Sequence, residues 1–266
     1  MRIRIAALLF VCAGLGLAQG PTVTNGGILN GASFKTGQPI AGGSLISIFG
    51  TSFASKVSQA DTIPLSNSLG GVTVEFVNGD KKISAPMLFA NSTQLNVQVP
   101  WELVPAGSSA NVNVIVSSNG VAAAPAQVSV AQFSPGVFAS NGLAIAVNSS
   151  DGTLAWPVGA VPGLTTHPAK IGDTILVYAN GMGAVTSPPA DGANSLDEIR
   201  RNLVTPQVMI GGVSAVVQFS GLSPQFVGVN QLNVVVPNVA PGNSLPLQIA
   251  VGGTTTSAGI TMAVSQ

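Results

Sequence analysis

The sequence has little of the chemistry that most enzymes and metalloproteins use. Its 266 residues include one cysteine, Cys12, and one histidine, His167, and only 7% of the residues are charged. A single cysteine excludes a disulfide framework within the chain, and so few thiol and imidazole groups exclude a clustered zinc site. Basic and acidic residues number nine each, so charge does not favour nucleic acid as a partner.

The first residues are typical of an export signal. Arg2 and Arg4 precede an apolar run over 5–17, and Gly16-Leu17-Ala18 places small residues at both positions that a signal peptidase reads. We expect residues 1–18 to be a signal peptide and the mature protein to be secreted, either extracellular or periplasmic. Cys12 falls within this segment. No later segment is long and apolar enough to be predicted as a membrane span.

One seven-residue segment occurs twice. Residues 94–100 read Gln-Leu-Asn-Val-Gln-Val-Pro, and residues 231–237 read Gln-Leu-Asn-Val-Val-Val-Pro. The similarity extends upstream, where residues 43–49 match 172–178. A repeat at this distance is long enough for a small domain per copy, so it predicts a duplicated unit. The second copy carries extra polar residues around 191–202, where we expect a surface loop.

Short valine-rich runs separated by glycine, asparagine and proline predict β-strands. In segment 94–100 the apolar side chains alternate with Gln94, Asn96 and Gln98, so these polar residues are expected on the solvated or strand-pairing face. In the second copy, Val235 occupies the position that aligns with Gln98. Its side chain would either pack against the neighbouring domain or lie under the inserted loop. In the first copy we predict strands at 45–49, 72–77, 95–99, 112–116 and 126–130.

The only plausible helix is Ser195–Leu203, a single short one in the inserted loop. Charged residues are concentrated in this stretch. Everything else in the pattern predicts an all-β protein made of two tandem β-sandwich domains.

Several motifs together resemble those of a family of uncharacterised secreted bacterial proteins, the Solibacter-type C-terminal domain. Each half also resembles the IPT/TIG immunoglobulin-like module, in which a glycine turn precedes a strand that ends in Phe-Gly. The resemblance implies an immunoglobulin-like fold and no particular activity. The motifs are Asn30-Gly31-Ala32-Ser33-Phe34, the segment 43–50, Leu69-Gly70-Gly71-Val72, the segment 94–102, Ser134-Pro135-Gly136-Val137-Phe138 and Val227-Gly228-Val229-Asn230-Gln231.

These observations predict three segments. Residues 1–18 form the signal peptide, residues 19–134 the first immunoglobulin-like β-sandwich, and residues 135–266 the second. Residues 133–136 would then be a short, partly stiff linker that restricts the relative orientation of the domains. The first strand of the second domain is expected to begin near Leu143.

The sequence offers no convincing catalytic group. A hydrolase triad needs a histidine poised between a nucleophile and a carboxylate, and His167 lies in a predicted loop. Gly181-Met182-Gly183 lacks the rest of a dinucleotide fingerprint and predicts a turn. A carboxylate pair remains as a remote alternative, with Asp151 and Asp173 as candidates by elimination. We therefore expect a protein that is not an enzyme and has no cofactor.

Two kinds of binding residue deserve a structural test. The oxygen-bearing side chains of Asp191, Asn194, Asp197 and Glu198 lie close together in the inserted loop, which makes them candidate calcium ligands. Their spacing does not match an EF-hand, so a solvated acidic loop is the alternative. Trp101 and Trp156 could be platforms for sugar rings, or they could close the edges of the two cores.

The function that fits these features best is a non-catalytic secreted or cell-surface module with a structural or adhesive role. The alternative is an extracellular glycan-binding protein that uses an exposed tryptophan, and the remote one is the carboxylate-based hydrolase. The expected partner is a cell-surface protein or a polysaccharide. We expect the protein to be a monomer.

Overall fold

The computed structural model describes residues 20–105 and 107–266, so the predicted signal peptide and Cys12 lie outside the described residues. The fold is all-β, as predicted, and the described residues contain no helix. Within this range there is accordingly no helix that is long and apolar enough to cross a membrane.

The described residues of the first unit form eleven strands, which include all five predicted ones. They are β1 Thr22–Asn30, β2 Leu45–Thr51, β3 Ser58–Gln59, β4 Ser68–Leu69, β5 Val72–Asn78, β6 Lys81–Ser84, β7 Met87–Ala90, β8 Gln94–Gln98, β9 Ala110–Ser118, β10 Val121–Ala122 and β11 Ala126–Val130.

The second unit contains twelve strands, several of them very short. They are β12 Gly136–Val137, β13 Ala139–Ser140, β14 Leu143–Ala144, β15 Ala146–Asn148, β16 Ala169–Lys170, β17 Thr174–Asn180, β18 Gln207–Ile210, β19 Val213–Leu222, β20 Asn230–Val235, β21 Gly242–Val251, β22 Thr254–Thr255 and β23 Thr261–Ser265.

Two sheets enclose the core of the first unit. One has the order β1-β2-β8-β7-β3, and the other has the order β10-β9-β5-β4, with β11 paired to β9 and β6 paired to β5. Strand β5 shows why the sheets pack: Val72, Val74 and Phe76 are buried, while the residues between them are partly exposed. This alternation places one face of each strand in a shared apolar layer, as expected for a sandwich.

The strands of the second unit form a continuous sheet around a separate core. Its order is β12-β17-β20-β19-β18-β21-β23-β14-β13, with β15, β16 and β22 paired to its members. The buried apolar residues of this core lie between Val137 and Val264, whereas those of the first core lie between Ile28 and Val130. Each unit therefore buries its own apolar cluster.

The repeated segments occupy equivalent places in the two units. In the first, β8 pairs antiparallel with β2, and Leu95 lies opposite Ile48. In the second, β20 pairs antiparallel with β17, and Leu232 lies opposite Val177. Position 95 aligns with 232 and position 48 with 177, so the strand pairs have the same register. Identical pairing at aligned positions is what a duplicated unit requires.

The predicted helix over Ser195–Leu203 is wrong. The backbone there is bent and then extended: the Leu222 N–H donates to the Arg200 carbonyl at 2.9 Å, and the Asn202 N–H donates to the Ser220 carbonyl at 3.0 Å. Nine residues are too few to form a stable helix without tertiary support. Here the tertiary contacts favour an extended chain along β19.

Two further expectations need correction. The first strand of the second unit does not begin near Leu143, because Gly136 and Val137 already pair with Asn180 and Ala179 of β17. The proposed linker therefore ends inside a sheet. Gln98 is not on a solvated face either; its side chain is fully buried. Alternation describes which side of the strand it occupies, but it cannot show that another part of the chain covers that side.

Candidate functional site

The two units meet at a junction that contains buried hydrogen bonds. The Asn180 side chain binds the backbone of Leu45 twice: its Nδ2 donates to the Leu45 carbonyl at 2.7 Å, and its Oδ1 accepts from the Leu45 N–H at 3.0 Å. The same Nδ2 lies 3.1 Å from Asn30 Oδ1. Asn180 and Asn30 are both fully buried. The Asn180 side chain thus pairs with the backbone at the start of β2 as a strand would.

The chain between the units is tied into the same network. Asn30 Nδ2 donates to the Ser134 carbonyl at 2.7 Å, and the Ser134 N–H donates to the Gly181 carbonyl at 2.9 Å. Gly181 has a φ of +69°, and a Cβ there would lie 2.1 Å from the Ser134 carbonyl oxygen. Glycine is required at this position because two backbones approach each other closely. These contacts restrict the orientation of the units.

A second part of the junction is formed by residues 190–193, which we call the junction loop. The Gly192 N–H donates to Gln98 Oε1 at 2.7 Å, and the Gly192 carbonyl accepts from the Leu65 N–H at 2.9 Å. The Asp191 carboxylate accepts from the Trp101 N–H at 3.0 Å. The loop that lengthens the second copy therefore inserts into the first unit, where it covers Gln98.

Beside the junction loop lies an apolar cavity of about 500 Å³, which we call the junction groove. Both units contribute walls, and Leu65, whose N–H binds the junction loop, is among the lining residues. Pockets of this size at domain interfaces are typical sites for small ligands. The other lining residues are Leu45, Ala60, Asp61, Thr62, Ile63, Leu88, Gln225, Phe226, Val227 and Val229.

Phe226 is the aromatic residue of the groove. Its side chain is half exposed, and the edge-to-face contact with Tyr178 has a centroid distance of 5.9 Å. Ile63 of the first unit is exposed to a similar degree. Asp61, Thr62 and Gln225 supply polar groups among the lining residues. The groove thus combines an aromatic ring, aliphatic walls and a few polar groups, a combination that suits a ligand with an apolar face.

A larger cleft of about 570 Å³ lies in the first unit, between the edge strands β1 and β11. It is lined by Thr22–Gly26, Ile28, Gly37–Pro39 and Ala124–Ser129. None of these residues carries a titratable side chain. The cleft therefore has backbone and hydroxyl groups but no acid or base for catalysis.

His167 forms a pair with Asp151. Its Nε2 lies 2.6 Å from Asp151 Oδ2, and its Nδ1 lies 2.9 Å from the Pro168 carbonyl. Both neighbours are acceptors, so the geometry fits a ring with a proton on each nitrogen. These bonds raise the pKa of His167 above its usual 6.5, the Asp151 bond contributing most. An imidazolium with both donors engaged cannot accept a proton from a nucleophile.

Asp151 is held by donors on both of its oxygens. Besides the His167 bond, the Thr153 hydroxyl donates to Oδ1 at 2.7 Å and the Thr153 N–H donates to it at 2.9 Å. The His167 bond is the largest cause, and together the donors lower the pKa of Asp151 from 3.8 to about 2. Asp173 is not among the hydrogen-bond partners of Asp151 in the described part of the chain. The Asp151–His167 pair thus holds two segments of loop in place by hydrogen bonds.

The candidate calcium ligands have other partners in the structure. Asp191 faces the first unit, whereas Asp197 receives two hydrogen bonds from the Arg200 guanidinium, at 2.6 and 3.0 Å. Glu198 lies 3.7 Å from the same guanidinium. Asn194, which lies between Asp191 and Asp197 in the sequence, is partly buried. Among residues 20–105 and 107–266, no three acidic, histidine or cysteine side chains form a group that could hold a metal ion.

The two tryptophans have different environments. Trp156 is only 4% exposed, and its Nε1 donates to the Ala144 carbonyl at 2.6 Å, so it closes the second core and offers no face to a sugar ring. Trp101 is partly buried, and its ring occupies the space that a Cβ on Gly43 would take. The buried Nε1 of Trp101 has no hydrogen-bond partner in the described residues.

Sequence reasoning missed the residues that build the junction. In the sequence Asn30 belongs to a family motif, no pattern marks Asn180, and Phe226 is a less obvious aromatic platform than either tryptophan. One signal in the sequence does point to the junction: Gln98 and Val235 differ inside an otherwise repeated strand. A difference between copies marks a place where their surroundings differ, and Gln98 is the residue that meets the junction loop.

Several solved structures resemble this one at low sequence identity. A surface glycan-binding protein from a mixed-linkage glucan utilization locus of Bacteroides ovatus has 12% identity over 86% of this chain and 44% of its own, with a TM-score of 0.36. A surface glycan-binding protein from Prevotella bryantii has 10% identity over 90% and 41%, with a TM-score of 0.27. The extracellular region of plexin A4 has 13% identity over 95% and 19%, with a TM-score of 0.26.

The chain spans less than half of the length of each of these three structures. No curated protein sequence matches it significantly. A family model does match part of the first unit, over nearly the whole range from the end of β1 to the end of β11. Residues 32–130 match the IPT/TIG domain.

Proposed function

We propose that the protein is a non-catalytic secreted or cell-surface module in which two immunoglobulin-like units act as one structural or adhesive element. The observation that carries this proposal is the buried junction, where Asn180 pairs with the Leu45 backbone and Gly192 with Gln98 and Leu65. Units that share buried hydrogen bonds present their outer surfaces in a constant arrangement. Such an arrangement suits a module that spaces or attaches other components.

The chemistry of the titratable groups supports the non-catalytic part of the proposal. His167 has acceptors on both nitrogens, and the Asp197 carboxylate is occupied by Arg200. A general base needs a free lone pair within reach of a substrate proton. His167 offers none when both of its nitrogens carry protons, and the Arg200 hydrogen bonds lower the pKa of Asp197 to about 2, which makes its carboxylate a weak base.

The first experiment combines localisation with a search for a partner. Fractionation of the producing cells is expected to recover the protein outside the cytoplasm. The mature chain, immobilised on beads, is expected to retain a cell-surface protein or polysaccharide without converting it. Recovery in the cytoplasm, or turnover of a retained polysaccharide, would contradict the proposal.

A second candidate function is glycan binding, and the junction groove is the feature that favours it. The half-exposed ring of Phe226 has the stacking surface that a sugar ring needs, and Asp61, Thr62 and Gln225 could accept or donate hydrogen bonds to hydroxyl groups. This candidate differs from the prediction based on sequence, because the aromatic platform is a phenylalanine at the junction and neither Trp101 nor Trp156.

A direct binding assay distinguishes the two candidate functions. The mature protein would be titrated by calorimetry with soluble cell-wall polysaccharides and β-glucans. If the groove binds them, Phe226→Ala should weaken binding at least about fivefold, because truncating an aromatic residue that anchors a ligand costs more than about 1 kcal/mol. Phe34→Ala is a matched control, since Phe34 is also half exposed and also packs on an aromatic ring, that of Phe49, but does not line the groove. Equal loss in both variants would exclude the groove.

A further inference from the structure

Asn180 and Gly181 form a pair of residues that is prone to spontaneous deamidation. In this reaction the backbone nitrogen of Gly181 bonds to Cγ of Asn180, the Cγ–Nδ2 bond breaks, and the N–H proton leaves with the ammonia. Water then opens the cyclic imide to aspartate or isoaspartate. A glycine in second position favours ring closure because it has no side chain and a wide range of backbone conformations. The close approach of the Ser134 carbonyl requires glycine at position 181, so the sequence keeps this reactive pair.

The closed junction protects Asn180 from this reaction. Its side chain is fully buried and makes three hydrogen bonds to the first unit, two with the Leu45 backbone and one with Asn30 Oδ1, at 2.7–3.1 Å. Ring closure makes Cγ tetrahedral and removes Nδ2, so it disrupts all three hydrogen bonds inside the junction. The reaction therefore proceeds only when the two units separate at this point.

Asn30 and Gly31 form a second pair of this kind, which differs in the state of the attacking nitrogen. Asn30 is also fully buried. The Gly31 N–H donates to the Leu45 carbonyl at 3.0 Å, and this hydrogen bond lies within the first unit, so it remains when the units separate. In the part of the chain that the structure describes, no backbone carbonyl accepts the Gly181 N–H. Opening of the junction therefore exposes Asn180 to attack, whereas the nitrogen next to Asn30 stays engaged.

We propose that Asn180 is a deamidation site that the closed junction protects, and that its reaction uncouples the two units irreversibly. The uncoupling follows from the product. Aspartate at position 180 has an oxygen in place of Nδ2, so an acceptor faces the Leu45 carbonyl and Asn30 Oδ1, and a negative charge is placed in a buried site. Isoaspartate also lengthens the backbone by a carbon atom at the end of β17, where Gly136 pairs. The inference goes beyond the proposed function, because it concerns how the fixed arrangement of the units is lost and not what they bind.

Peptide mapping by mass spectrometry tests the protection. The mature wild-type protein would be incubated at mildly alkaline pH, and the deamidated fraction at each asparagine would be followed with time. Asn25 is the reference, because it is exposed and also precedes a glycine. Deamidation at Asn180 should be at least about tenfold slower than at Asn25, since the native junction is closed most of the time. Equal rates at these two residues would overturn the inference.

Variants that loosen the junction test the link between opening and reaction. Gly192→Ala disturbs the junction loop, so it should raise the Asn180 rate at least about threefold while the Asn30 rate stays as in wild type. Gly163→Ala has the same φ of +80° but open space around its Cβ position, and it should change neither rate. Gln98→Val removes the acceptor of the Gly192 N–H and provides the same test if Gly192→Ala does not fold. An unchanged Asn180 rate in the folded junction variant, or an equal rise at Asn30, would refute the inference.

Asn180→Asp tests the consequence of the reaction. The Ser134 N–H, which donates to the Gly181 carbonyl, and the Gly192 N–H report the contact between the units, and their protection from hydrogen exchange should fall at least about tenfold. Asn25→Asp adds the same charge outside the junction and should keep the protection of the wild type. If Asn180→Asp does not fold, the deamidated form separated by ion exchange from aged wild-type protein takes its place. Wild-type protection in the deamidated form would contradict the uncoupling.

Discussion

The two copies of the repeated strand have the same register but different surroundings. In β8 the fifth residue is Gln98, which is fully buried and binds both Gly192 and the Gly43 carbonyl. In β20 the equivalent residue is Val235, which is partly exposed and lies opposite Thr174 and Val216. The core of the strand is preserved in both copies, while the outer face has changed. The difference shows that a junction has been built on the outer face of one copy only.

The largest expected effect comes from blocking the junction loop at its closest approach. Gly192→Ala should reduce the free energy of unfolding by about 2–4 kcal/mol, because the new Cβ combines a positive φ with a backbone clash at Leu65. Gly163→Ala is the matched control: its φ is also +80°, but open space surrounds its Cβ position. The control should cost about 1–2 kcal/mol in urea unfolding. Equal costs would mean that the close approach of Gly192 to the Leu65 backbone does not add to the loss of stability.

The next effect concerns Trp101, which Asn238 replaces in the second copy. Trp101→Asn should cost about 2 kcal/mol in the same unfolding experiment, because the indole fills the space beside Gly43. Trp101→Phe keeps an aromatic ring, although a smaller one, and removes an Nε1 donor that has no partner in the described residues, so it should cost less than Trp101→Asn. A large loss in Trp101→Phe would contradict this account of the side chain.

Exchanging the differing residues tests the comparison directly. Gln98→Val gives the first copy the residue of the second and leaves the buried Gly192 N–H without its acceptor, so it should cost about 1–3 kcal/mol. The reverse change, Val235→Gln, places an amide on a partly exposed face and should change stability by less than about 0.5 kcal/mol. Chemical denaturation of both variants measures this asymmetry, and similar costs would remove the distinction between the two faces.

The smallest expected effect is the pH response of the Asp151–His167 pair, which belongs to the second unit alone. The contribution of His167 is present below about pH 6.5 and is lost as the pH rises through its raised pKa. The contribution of Asp151 is present above pH 3.8 and is lost as the pH falls through about 2. The pair therefore stabilises its loop most between these limits.

Nuclear magnetic resonance can follow this titration without ambiguity, because His167 is the only histidine in the chain. Its midpoint should lie above 6.5 in the wild type and return toward 6.5 in Asp151→Asn. Asp191→Asn should leave the midpoint unchanged, because Asp191 is not among the groups that act on His167. A wild-type midpoint below 6.5 would contradict the ion pair.

The all-β fold, the five strands of the first copy and their buried faces could be predicted from the sequence, because strand periodicity is local. Turn chemistry was also readable: Asn119 and Gly120 both have positive φ and connect β9 to β10. The helix over Ser195–Leu203 was predicted wrongly, since a local count of charged residues does not include the backbone bonds to β19. Likewise, the sequence did not indicate that Arg200 pairs with candidate ligands of the inserted loop, because this contact also depends on the tertiary structure.

The sequence by itself determined that the chain is all-β with a repeated strand segment, since the pattern of apolar residues along each strand specifies which face is buried. Only the tertiary structure decided where the units touch, because the outer face of a strand has the same local pattern whether water or another unit covers it. Gln98, Asn180 and Asp191 look like surface residues in the sequence. Their burial depends on chain segments far away, and so does the pKa of Asp191, which burial raises to about 6.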